Sequence, residues 1–196
     1  ELLKDVNNLI ENNEFAFTRQ VHMKGLGHAI LSGHNLMDDN PFAVVLADDL
    51  CVADEGDIGV LAQMVKIYNQ FRCSVVAIQE VPEDEVHKYG VIAGEDMGNG
   101  LYRVNNMVEK PSKEDAPSNL AIIGRYILTP DIYDRIRKTP AGVGGEIQIT
   151  DALLDQAKEG CVIAYKFRGK RFDCGSIDGF VEATNYVYEN LYKKGR

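Results

Sequence analysis

With 196 residues, 45% of them apolar, the chain can fill one good-sized core, because a domain of that size buries roughly 70% of its unfolded surface. A formal net charge of -9 and a pI near 4.9 repel phosphate backbones, and no Lys/Arg cluster interleaves with aromatics, so nucleic acid is not an expected partner. No apolar stretch approaches the ~20 residues a membrane helix needs and no charged-then-apolar leader opens the chain, so the expectation is one domain over residues 1–196, cytoplasmic and without a membrane partner.

Cys51, Cys73, Cys161 and Cys174 stand far apart without any CxxC, which indicates neither a zinc site nor a disulfide framework. No repeat, low-complexity segment or Pro/Ser-rich linker divides the sequence.

In chain order, "RQVHMKGLGHAI" (residues 19–30) comes first. Gly25 and Gly27 allow backbone to approach a flat ligand at the start of a helix. Gln20 offers the donor and acceptor needed to read a nucleobase edge. His28, in the first turn, suits a structural hydrogen bond.

"FAVVLADD" is β-branched and nearly all apolar, as expected of a strand covered on both faces. It ends in Asp48 and Asp49. In open α/β sheets ligands bind beyond the carboxyl ends of strands, and alternation sends only one of the two carboxylates into such a site. A pair of solvated turn aspartates is the alternative.

"DIGVLAQMVKIYNQF" sets Ile58, Leu61, Met64, Val65, Tyr68 and Phe71 on one helical stripe with Asp57 as N-cap. The strand "CSVVAIQEV" completes a βαβ unit whose two strands run parallel. "YGVIAGEDMGNGLYRVNNMVEKP" reads as two strands joined at "GNG". "NLAIIGRYIL" is a further strand, and "PDIYDRIRKT" and "ITDALLDQAKEG" are helices. The last helix, residues 176–194, has Ser176 as its cap and Ile177, Phe180, Val181, Thr184, Val187, Tyr188 and Leu191 on one face. The fold class is α/β with a mixed sheet.

Two further motifs sit where chemistry is expected. "KRFDCGS" places Asp173 at a second strand end, and two carboxylates from separate strands suit Mg²⁺ when phosphates and water supply its other ligands. In "VEKPS", Glu109 can accept hydrogen bonds from sugar hydroxyls and Lys110 can meet a phosphate. Successive strand residues face opposite ways, so their joint use requires the backbone to turn there, and Pro111 favours an end to regular pairing. A surface ion pair at a hairpin end is the alternative.

Taken together, "KGLGHA", "LADDL", "YGVI", "VEKP", "APSNLAIIGRY", "GEIQITDAL" and "FDCG", in this order, closely resemble the bacterial UTP-glucose-1-phosphate uridylyltransferases, within the sugar-nucleotide pyrophosphorylases. The resemblance runs from about residue 15 to the last helix. It implies a Rossmann-like nucleotidyltransferase fold with a mixed, mostly parallel sheet and flanking helices. The implied reaction turns UTP and glucose 1-phosphate into UDP-glucose and pyrophosphate with Mg²⁺.

The resemblance also implies site roles. Gln20 and the backbone at Gly25 would read uracil, and Asp48 and Asp173 would hold Mg²⁺. Glu109 would bind glucose hydroxyls and Lys110 the sugar phosphate, with backbone at Gly90 and Gly124 lining the sugar. Asp49 receives no role, and "GEIQITD" only a structural one, with Thr150 as a helix cap. A homo-oligomer is expected.

The family opens with a strand and a Gly-rich phosphate loop, whereas this sequence starts on "ELLKDVNNLIENNEF", the helix and strand ahead of the uracil segment. An N-terminally truncated domain with an exposed sheet edge is therefore expected, filled by another polypeptide or by self-association, with the activity of the fragment open. Three rival readings remain. One is a non-catalytic sugar-phosphate-binding fragment. Another is a sister pyrophosphorylase using dTTP or another sugar. The third, a phosphoacceptor receiver domain, needs an aspartate ending the intervening strand, but "CSVVAIQEV" ends in Glu80 and Val81.

Overall fold

The computed structural model describes residues 3–37 and 39–193. Helix α1 (Lys4–Glu11) and helix α2 (Gly25–Ser32) precede strand β1 (Phe42–Val45), strand β2 (Asp49–Ala53), helix α3 (Val60–Phe71) and strand β3 (Ser74–Glu80). The chain continues through β4 (Gly90–Gly98), β5 (Leu101–Glu109), β6 (Leu120–Leu128), α4 (Ile132–Lys138) and α5 (Ile149–Ala157). It finishes with β7 (Val162–Lys166), β8 (Gly169–Asp173), α6 (Ile177–Val187) and a π-helical turn, Tyr188–Tyr192.

Six strands form one sheet in the order β1-β6-β3-β7-β5-β4, and β2 pairs with β8 in a separate two-stranded ribbon. Among the described residues, only β3 and β7 pair in parallel as neighbours. Taken by direction, β1, β3, β7 and β4 point one way and β5 and β6 the other, so the sheet is mixed with a majority sense. The start of β4 also pairs with the start of β6, at Val91↔Ala121, which brings the end of β5 near the start of β6. β1 and β3 do run in the same direction, but β6 lies between them.

The sheet has a core on each face. Along β3, Val76 and Ile78 pack with Ile30 of α2, Ile132 and Ile136 of α4 and Leu153 of α5. Val75 and Ala77 pack with Val60, Met64 and Ile67 of α3. This is the period-two alternation of a strand covered on both faces. Burying each such aliphatic side chain contributes about 1.5–3 kcal/mol, so a truncation such as Ile136→Ala costs about 2–5 kcal/mol.

Local signals hold where the chemistry is local. Asn99 and Gly100 take φ of 55° and 76° between the paired Gly98 and Leu101, the two positive values of a type I′ hairpin turn. Ser176 caps α6, its hydroxyl accepting from the Gly179 N–H at 3.1 Å. All four cysteines are free thiols.

Other expectations need correction. "FAVVLADD" is not one strand: β1 ends at Val45, Ala47 and Asp48 turn, and Asp49 opens β2. β1 lies at a sheet edge, covered on one face by Phe42 and Val44 while Val45 is 51% exposed. The buried face of α3 is Val60, Gln63, Met64 and Ile67, with Val65 exposed. Gly59 occupies the N-cap position, and Asp57 instead accepts from the Ile58 N–H and pairs with Arg168.

No strand follows α1, since residues 13–24 hold neither helix nor strand, and Phe15 and Phe17 are exposed. The apolar face assigned to the last helix is largely exposed at Ile177, Phe180, Val181 and Leu191, and only Ala183 of α6 is buried. The expected end of that helix at residue 194 lies outside the described residues.

Candidate functional site

A cavity of about 300 Å³ opens where the ribbon, β4, β5, β6 and the start of α5 converge. Asp48, Asp173, Gly90, Glu109, Lys110 and Gly124 all line it, so residues from five separate sequence motifs meet at one place.

Asp48 and Asp49 have different surroundings. Asp49 is buried, only 5% exposed, and its Oδ2 accepts from the Gly124 N–H at 2.6 Å. Its Oδ1 accepts from Arg171 Nε, and its carbonyl accepts from Arg125 Nη2. A desolvated carboxylate needs such partners. Burial disfavours the Arg171 guanidinium, yet Asp49 and Tyr89 outweigh that and hold it above its ordinary value.

Asp48 is exposed and turns toward Asp173. A Cβ built on Gly175 would stand 3.1 Å from Asp173 Oδ1 and 3.2 Å from Asp48 Oδ2. The two oxygens therefore flank a small cradle that glycine leaves open. The Cys174 N–H fixes the Asp48 carbonyl at 2.7 Å, and the Gly175 N–H donates to Asp173 Oδ1 at 3.1 Å. Among the described residues no cluster of three or more His, Cys, Asp and Glu is arranged for a metal. Two hard oxygen donors suit Mg²⁺ when phosphates and water complete its shell, so the pair fits that ion.

The opposite wall carries Glu109 and Lys110. β5 stops at Glu109, and Lys110 adopts a left-handed φ of 47° while its N–H donates to the Tyr89 carbonyl at 2.9 Å. This is the turn that the paired use of Glu109 and Lys110 requires. Glu109 Oε2 accepts from the Thr150 hydroxyl at 2.8 Å. The Lys110 ammonium stands 4.0 Å from Glu109 Oε1 and is half-exposed. A Cβ on Gly90 would meet Thr150 Cγ2 at 2.5 Å, so glycine there keeps the wall open.

Gly124 lines the cavity in a different way from that expected. Its N–H is engaged by Asp49, and its carbonyl accepts from Leu46 and Arg125. Its backbone is therefore committed within the protein, and its contribution is space, since a Cβ would strike Asp49 Oδ2 and Leu46.

Gln20 and Gly25 lie outside that lining, although Leu26 beside them belongs to it. The Gln20 amide nitrogen donates to the Gly25 carbonyl at 3.1 Å and stands 2.9 Å from His28 Nδ1, which gives His28 the structural hydrogen bond expected of it. Gly25 (φ 86°) and Gly27 approach the protein's own chain rather than leaving a gap: Ile147 N–H donates to Lys24 and Gly27 N–H to Ile147.

Thr150 is not a cap. Gln148 holds the N-cap position of α5, and Thr150 is a buried residue of its first turn. Glu146, Gln148, Ile149 and Thr150 all line the cavity, so the "GEIQITD" segment belongs to the site. Tyr89, Lys88 and Arg171 were also missed. Lysine or arginine beside "YGV" and "FDCG" was the available signal.

Residues 2–190 match the nucleotidyl transferase family. The chain is 69% identical over 194 residues to the UTP–glucose-1-phosphate uridylyltransferase of Pseudomonas aeruginosa, covering 99% of this chain and 69% of that protein. It is 40% identical to a putative UTP–glucose-1-phosphate uridylyltransferase of Methanocaldococcus jannaschii, over 94% of this chain and 63% of that protein. A UDP-glucose pyrophosphorylase structure complexed with UDP-glucose superposes with a TM-score of 0.92 at 56% identity, over 95% of this chain and 71% of that one. The UTP-bound enzyme from Acinetobacter baumannii gives 0.82 at 31% identity, over 97% and 66%. On these matches, the chain belongs to the nucleotidyl transferase family.

Proposed function

We propose that this chain transfers uridylyl from UTP to glucose 1-phosphate, forming UDP-glucose and pyrophosphate, with Mg²⁺ held by Asp48 and Asp173. The observation that carries the reading is the single cavity with that carboxylate pair on one wall and Glu109 with Lys110 on the other, in a chain so similar to uridylyltransferases. Asp48 and Asp173 would hold the divalent cation, which would supply charge neutralisation at the substrate phosphates.

A phosphate oxygen of glucose 1-phosphate attacks the α-phosphorus of UTP in line, and the bond to the pyrophosphate leaving group breaks. No covalent bond to the protein is needed, so the chain's tasks are alignment and charge neutralisation. Lys110 holds the attacking phosphate as a point charge, whereas Lys88, at the same cavity, is paired with Glu85 at 2.9 Å. Glu109, with Oε2 fixed by Thr150, accepts from the glucose hydroxyls through Oε1. Gly90 and Gly124 leave room for the ring. The Gln20 amide oxygen and the start of α2 at Gly25 read uracil, the Gln20 nitrogen being already engaged.

A cytoplasmic, self-associating protein in one domain completes the reading. The exposed Ile177 and Phe180 support the association, and no described helix is long and apolar enough to cross a membrane. Pyrophosphate release is the test: UTP with glucose 1-phosphate should support it and dTTP much less. Equal rates with dTTP would shift the reading to a sister pyrophosphorylase, and no release with any nucleotide would contradict it.

A further inference from the structure

The two walls of the cavity belong to different sheets. Asp49 and Asp173 lie on the β2–β8 ribbon, with Asp48 immediately ahead of it, whereas Gly90 and Glu109 lie on the six-stranded sheet with Lys110 just beyond. For in-line transfer these walls must keep a fixed separation, since a misplacement of about 1 Å between reacting groups costs on the order of a hundredfold in rate.

Arg171 of β8 stands between them, its side chain 8% exposed. Its Nε donates to Asp49 Oδ1. Its Nη2 lies 3.4 Å from Asp173 Oδ2, leaving Oδ1 turned to the cradle at Gly175. Its Nη1 donates to the Tyr89 hydroxyl at 3.2 Å, and the guanidinium carbon lies 5.5 Å from the Tyr89 ring centroid. Tyr89 in turn holds the Lys110 N–H through its carbonyl. One planar fork therefore reaches the carboxylate wall and, through Tyr89, the left-handed turn that presents Lys110.

We infer that Arg171 is a positioning residue that couples the carboxylate wall to the sugar-phosphate wall, acting through Tyr89. The inference rests on the uridylyl-transfer reading and adds to it a residue that need not touch substrate. Lysine cannot replace it, because an ammonium lacks the rigid fork that spans three partners.

The coupling is read by titrating UDP-glucose into the full chain with and without Mg²⁺, for wild type, Arg171→Lys, Tyr89→Phe and the double variant. Tyr89→Phe leaves the Asp49–Arg171 pair intact, so it separates coupling from folding. In wild type Mg²⁺ should tighten UDP-glucose binding. In Tyr89→Phe that tightening should shrink by about tenfold, with the melting temperature unchanged. Arg171→Lys should shrink it as much, and the double variant no further. A Tyr89→Phe protein with the full wild-type Mg²⁺ effect overturns the inference alone, as does a wild type that binds UDP-glucose equally with and without Mg²⁺. A wild type that does not bind UDP-glucose at all overturns the functional reading and this inference with it.

Discussion

Thr150 donates its hydroxyl to Glu109 Oε2 at 2.8 Å, joining the first turn of α5 to the end of β5. The bond fixes one carboxylate oxygen and leaves the other beside Lys110. Thr150→Val keeps the shape and removes the donor. Hydrogen bonds to charged groups contribute about 1.5–3 kcal/mol, so UDP-glucose affinity should fall roughly tenfold or more while UDP affinity stays unchanged, as calorimetry can show. Equal losses for both ligands would remove Glu109 from the sugar site.

Lys110 is half-exposed and follows the last residue of its strand. Lys110→Ala should therefore leave the unfolding free energy within about 0.5 kcal/mol of wild type. Glucose 1-phosphate binding should weaken on the order of tenfold or more, because a charge-assisted contact to phosphate is lost. Unchanged sugar-phosphate affinity would refute the assignment.

Asp48→Asn and Asp173→Asn test the metal pair by a route independent of turnover. Mn²⁺ binding in the presence of UDP-glucose, followed by electron paramagnetic resonance, should weaken at least about tenfold in each, since even a supporting partner of a metal ligand is worth that much. A full Mn²⁺ signal change in both variants would move the cation elsewhere.

Much of the fold was legible because its signals are local. Ser176 caps its own helix, Asn99–Gly100 sets its own turn, and alternating apolar residues mark β3. What failed depends on partners distant in sequence. Nothing in "LADDL" shows that Asp49 meets Gly124 and Arg171, 75 and 122 residues away. The turn at Ala47 and Asp48 carries an aspartate, itself a turn former, but the apolar run ahead of it reads on as strand, and the ribbon strand Asp49–Ala53 was not expected at all. Thr150 looks like a cap by composition, yet β5 brings Glu109 to it. Asp48, Gly90, Glu109, Lys110, Gly124 and Asp173 converged at the cavity while Gln20 and Gly25 stayed outside its lining, and the side chains that hold the first group in place were visible only in three dimensions.

Away from the cavity, Asp131 gives a pH prediction. Burial raises its carboxyl, but hydrogen bonds with Thr129, Arg135 and Gln156 and the Arg135 charge outweigh that and hold it below the ordinary 3.8. A carboxyl depressed in the folded state contributes stability above its unfolded value and loses it as pH falls through the folded one. Asp131→Asn should thus melt below wild type at pH 7, with the gap closing below pH 3.8. A gap independent of pH would assign the difference to packing.

The central claim is that one cavity holds both the nucleotide phosphates and the sugar. Calorimetric titration of UDP-glucose into this chain with Mg²⁺ tests it most directly, with Lys110→Ala alongside. One-to-one binding that weakens sharply in the variant is the expected result. Absence of binding in the wild type, or binding untouched by Lys110→Ala, would contradict it.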